Sequence, residues 1–154
     1  MRKLFTSILA AMLIACGLFF TVSCSSGCKS TARTTYVSSG VTHVTVKSAL
    51  AGWNAYLGAK DAELNALAAT DAPKAVAERK KIALENARVE DAYRKYQASQ
   101  IALLTAAQEF SKIPADDPDA PASADRLNAA VAAATKTMAS VLDLLAEFGI
   151  KPAK

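Results

Sequence analysis

The run LNAAVAAATKTMASVLDLLAEFG, positions 127–149, decides the fold. Within it Leu127, Val131, Ala134, Met138, Val141, Leu145 and Phe148 recur at alternating spacings of four and three. That rhythm keeps all seven on one face of a 3.6-residue helix. Gly149 follows where a left-handed C-cap is wanted, with Ile150 and Pro152 behind it. One apolar face needs other helices to bury it, and the rest of the chain lies upstream.

The stretch before this helix, Pro114-Ala115-Asp116-Asp117-Pro118-Asp119-Ala120-Pro121, is dense in breakers and acids, and no helix crosses it. Before it, a long helix is predicted over about 73–113. Its stripe runs Ile82, Val89, Tyr93, Tyr96, Leu103, Ala107 and Phe110, with the amides Asn86 and Gln100 inside it. Those two amides could set the register of a neighbouring helix or face a partner. The opposite side carries Lys74/Glu78, Lys81/Glu85, Glu90/Arg94 and Asp91/Lys95 at i,i+4 spacing, which marks a solvated face. Thr70-Asp71-Ala72-Pro73 ends the preceding helix and caps this one. That first helix, about 45–69, has the stripe Val46, Leu50, Trp53, Leu57, Lys60, Leu64 and Leu67, with Thr42 or Thr45 as N-cap. Only Lys60 interrupts it, and its alkyl stem can lie along apolar surface.

The expected fold class is therefore all-α, an up-down-up antiparallel three-helix bundle preceded by an N-terminal signal or anchor helix. The second helix is expected to be the longest, at ~60 Å, with the other two covering its ends. Ala-rich seams permit close approach but bury little area, so modest stability is expected. The domain spans 42–150, after a signal at 1–23 and a flexible tether at 24–41. The tether assignment rests on the Ser, Thr and Gly content of Ser25 to about Gly40, which shows no helical period. The alternation from Val41 to Val46 is strand-like but has nothing to pair with, so it reads as the lead into a helix.

The N-terminus carries an address. Met1-Arg2-Lys3 is a short positive start, Leu4 to Val22 is apolar, and the chain turns polar at Cys24. These are the parts of a secretory signal. The 19-residue apolar run also just reaches bilayer-spanning length, so an uncleaved single-span anchor is an alternative. Thr21-Val22-Ser23-Cys24 and Leu13-Ile14-Ala15-Cys16 resemble the cleavage and lipidation motif of bacterial lipoproteins. Cys16 fits the four-residue pattern better, but cutting there would leave an apolar tail on the mature chain. Cys24 stands where the apolar run ends and is preferred. The resemblance covers about the first 28 residues and implies a Cys carrying several acyl chains, enough for stable membrane attachment. The location it implies is the cell envelope, on the periplasmic or outer face of a bacterial membrane; a secreted domain is the other alternative.

A local Cys24–Cys28 disulfide is a competing use of these cysteines. Three cysteines cannot all pair within one chain, and Cys28 has no chemical role assigned. A metal site from the cysteines and His43 is disfavoured, because Cys16 lies inside the apolar run and there is no second His.

Charge argues against nucleic acid. The net charge is +4, but removing Arg2 and Lys3 leaves 16 basic and 14 acidic residues, a net of +2. That balance makes no footprint for a phosphate backbone. Arg79-Lys80-Lys81 with Arg88, Arg94 and Lys95 is the densest basic stretch, and reads as a solvated face rather than a patch for anionic lipid. His43 is the sole histidine and is expected in a polar loop. No phosphate loop, nucleophile elbow, His-Glu zinc motif or cofactor fingerprint appears. The expected function is a non-enzymatic structural or protein-interaction module of the envelope, with an envelope protein or a second copy as partner. The alternative is a periplasmic binding module for a small apolar or aromatic ligand, near Trp53, Tyr93 and Tyr96. These three aromatics read first as core, with the Tyr hydroxyls at its edge. The general character is also similar to that of small helical proteins of bacterial envelopes and prophage regions, which would imply a phage-borne lysis or exclusion accessory.

Overall fold

The structure, a computed structural model, describes residues 28–152. The signal segment 1–23, its anchor helix and both candidate lipidation sites, Cys16 and Cys24, lie outside the described residues. Three helices fill the described chain: α1 (Cys28–Ala68), α2 (Ala72–Phe110) and α3 (Ala120–Glu147). No strand is present among the described residues. The helices run up-down-up, with α2 packed against both neighbours and α1 touching α3 less extensively.

The third helix forms as its sequence dictates. Leu127, Ala134, Met138, Val141 and Leu145 are buried, and Val131 and Phe148 are half-buried beside them. The chain leaves α3 at Gly149, whose φ of 77° is the left-handed conformation that side chains with a Cβ resist. Its N–H donates to Ala146 O and that of Ile150 to Leu145 O, the paired bonds of a Schellman ending. Ile150 then folds back onto the core. Among the described residues α3 is also the one helix long and apolar enough to cross a membrane by length and composition. Its most apolar face is spent on α1 and α2.

Between α1 and α2 the turn is three residues. The Asp71 carboxylate accepts from the Lys74 N–H at 3.1 Å, and Pro73 sits in the first turn, where a missing N–H costs nothing. Between α2 and α3 the acidic connection closes on itself, the Asp117 carboxylate accepting from the Asp119 N–H at 2.8 Å.

The sequence expectation fails at the start of α1. A tether over 24–41 is replaced, from Cys28 onward, by continuous helix. Thr42 and Thr45 are therefore interior residues and cap nothing. Two physical reasons account for this. Hydroxyls that usually compete with helix are turned back onto it: Thr34 donates to Ser30 O, Thr35 to Thr31 O, Thr42 to Ser39 O and Thr45 to Val41 O. The buried stripe also continues upstream through small residues. Ala32, Thr35, Ser39, Val46, Ala49 and Trp53 are all buried, and half-buried Thr42 completes the four-three rhythm. Tertiary packing thus outweighs poor intrinsic propensity. As a consequence α1, at 41 residues, is longer than α2, at 39.

Placing proline at position 35 should cost about 3 kcal/mol, the usual effect of proline inside a helix. Thermal unfolding of Thr35→Pro should show a clear drop in midpoint; a tether would leave it unchanged.

Candidate functional site

Two apolar clusters divide the bundle. One joins all three helices through Val46, Ala49, Trp53, Val89, Tyr96, Met138, Val141 and Leu145. The other, built from Leu103, Ala107, Phe110, Ala124, Leu127 and Ala134, belongs to α2 and α3 alone. Over that second cluster α1 offers hydroxyls instead of hydrocarbon. The result is a cleft of about 90 Å³, partly open to solvent. Thr31, Thr35, Ser38, Ser39 and Thr42 form one wall, Gln100 and Leu103 the floor, and Leu127, Asn128, Val131, Thr135 and Met138 are among the residues opposite.

The two amides in the α2 stripe have defined partners. Ser39 Oγ donates to Gln100 Oε1 at 2.5 Å, and Trp53 Nε1 donates to Asn86 Oδ1 at 3.0 Å. The two bonds lie 14 residues apart on each helix, so one antiparallel register satisfies both. Asn86 also donates to Glu90 Oε1 at 2.7 Å. Between α2 and α3 a hydroxyl pair, Ser99 and Thr137 at 2.6 Å, plays the same part.

Trp53, Tyr93 and Tyr96 belong to the three-helix cluster and line no part of the cleft. Trp53 stacks on Tyr56 at 5.2 Å and leans on Phe148 at 4.8 Å. Tyr96 stacks on Tyr93 at 6.2 Å and on His43 at 6.3 Å. His43, expected in a solvated loop, is half-buried in the middle of α1, since that segment is helix. The residues that line the open cleft are those the aromatic pattern did not single out. Their signal was the upstream run of hydroxyls at stripe positions facing Gln100.

The Tyr96 hydroxyl is the weak point of the packing. Tyr96 is fully buried, and its oxygen makes no well-formed hydrogen bond among the described residues. Burial pushes its pKa above the ordinary tyrosine value, and a weak hydrogen-bonding interaction with the Thr42 side chain acts against the shift.

On the outer face, Lys95 pairs with Asp91 at 2.7 Å and holds that carboxyl below its usual range, chiefly through the hydrogen bond. Arg88 reaches Glu147 on α3 at 3.4 Å, and Arg79 donates to Asn65 on α1. The basic stretch is therefore tied in part to neighbouring acids and amides. Exposed pairs of this kind contribute little individually.

No protein-family model, curated protein or solved structure matches this chain. The class is set by its own geometry: an all-α three-helix bundle with one polar-walled cleft described.

Tyr96→Phe keeps the ring and removes the poorly bonded hydroxyl, whose desolvation costs about 1–3 kcal/mol. Urea unfolding should show a higher midpoint at unchanged slope; a lower midpoint would mean the hydroxyl has a partner.

Proposed function

We propose that this chain is a non-enzymatic lipoprotein of the bacterial cell envelope, held to the membrane by lipid on Cys24 and working by association with a second copy of itself. The lipid anchor rests on the resemblance of the N-terminal segment to lipoprotein signals. The observation that carries the association is a ridge on the first half of α1. Val37, Val41 and Val44 recur at helical spacing and are 63%, 63% and 67% exposed. Tyr36, 41% exposed, extends the ridge toward α2, where its hydroxyl donates to Leu104 O at 3.4 Å. No charged residue occurs from Thr34 to Val46.

Water is a poor environment for β-branched apolar side chains on a helix face, and such side chains are also weak helix formers. Their burial would help on both counts. The ridge is small, well short of the roughly 800 Å² per partner that supports a stable complex of free proteins. Anchoring changes that. The described part of α1 begins four residues after Cys24, and two anchored copies would present their ridges at matching heights, about 14–24 Å along that helix. Confinement to one membrane and a shared orientation raise effective concentration and favour parallel pairing of α1 with α1.

Cys24→Ser should move the protein from the membrane fraction to the soluble one and abolish the acyl mass in intact-mass spectrometry. Val41→Cys in a Cys28→Ser background should form disulfide-linked dimers on membranes. In that background, adding Cys24→Ser should leave mostly monomer. Unchanged membrane association of Cys24→Ser would refute the anchor, and absence of the membrane dimer would refute the pairing.

A further inference from the structure

We propose that the cleft between the first half of α1 and α3 binds a small uncharged amide: a secondary amide bearing a methyl or similarly short apolar group. An N-acetylated sugar and a short peptide link both present this chemistry.

Gln100 supplies the donor. Its side chain is 8% exposed, and its Oε1 is occupied by the Ser39 hydroxyl. No hydrogen bond from its Nε2 occurs among the described residues, and that nitrogen is not fully buried but reaches the solvent-open side of the cleft. A donor standing there without a protein acceptor is available to an acceptor that enters the cleft. The α1 wall offers the opposite polarity. The hydrogens of Thr35 and Thr42 are already donated to carbonyls of α1 itself, at Thr31 and Ser39. What those oxygens have left to offer an incoming group is lone pairs.

The remaining wall is hydrocarbon, with Leu103, Val131 and Met138 in reach. No charged side chain lines the cleft, so an ion entering it would lose hydration without compensation. Donor, acceptors and apolar wall thus stand together around a space of about 90 Å³. That is room for several waters, or for a group of a few heavy atoms. An amide carbonyl satisfies Gln100, its N–H reaches a threonine oxygen, and its methyl rests on the apolar wall. So few ligand atoms sustain only weak binding, with a Kd on the order of 1 mM.

The test uses the full chain in detergent micelles, with the side-chain amide resonances of Gln100 followed by ¹⁵N NMR. N-acetylglucosamine and N-acetylalanine methylamide are the probes, and glucose is the control lacking an amide. Saturable shifts with both probes and none with glucose are expected; shifts with the sugar alone or the peptide alone also support the site and identify the source. Thr135→Trp, at an exposed position on the cleft wall, should weaken the response at least tenfold while the helical circular dichroism is retained. Gln100→Leu should abolish the shifts that the probes cause in neighbouring backbone amides. Silence from both probes at about tens of millimolar, or shifts that persist unaltered in Thr135→Trp, would overturn the proposal.

Discussion

A single antiparallel register between α1 and α2 organises the molecule. It is fixed at two points, where Ser39 meets Gln100 and where Trp53 meets Asn86. Each is a neutral hydrogen bond worth only about 1 kcal/mol net, but the penalty for misalignment is larger. A slip of one residue would strand a buried amide and turn Trp53 off the core it fills. Because the two bonds sit four turns apart, they hold the upstream half of α1 as firmly aligned as the downstream half. The cleft, the exposed valine ridge and the position of His43 against Tyr96 all follow from that alignment.

The bundle is uneven along its length, and the unevenness has a cause in composition. Around the middle of α1 and α2, large side chains from three helices meet, and Tyr96, Leu145, Val46, Val89 and Val141 are fully buried. Towards the start of α1, the buried positions are Ala32, Thr35 and Ser39. Small polar residues allow α1 to lie on α2 but leave α3 unfilled on that side. That is why a cleft opens there. The same composition leaves Val37, Val41 and Val44 on the solvent face, where they add no stability to a lone copy.

Much of this was readable from spacing alone. The stripe from Leu127 to Phe148, the Gly149 ending and the Asp71 cap depend on local periodicity and backbone geometry, which sequence reports directly. The first half of α1 was not readable in the same way. Its Thr, Ser and Gly residues argue for a loop if propensity decides, yet Ala32, Thr35, Ser39 and Thr42 keep the four-three rhythm with side chains too small to register as apolar. The candidate site illustrates the same limit. Trp53, Tyr93 and Tyr96 stand out as ligand-binding types, but rings at helical spacing fill each other's volume. The cleft was marked only by hydroxyls whose partner, Gln100, is 61 residues away from Ser39. Ion pairs fared similarly: of four i,i+4 pairs legible on α2, Asp91 with Lys95 closes to bonding distance.

Packed helix in α1 back toward Cys28 underlies the register, the cleft and the ridge alike. Hydrogen exchange of backbone amides 32–46 in the full chain tests this most directly. Protection there approaching that of the α2 amides opposite, rather than that of the chain ends, is the predicted result. Exchange at the rate of an unstructured peptide would contradict the register, the cleft and the ridge together.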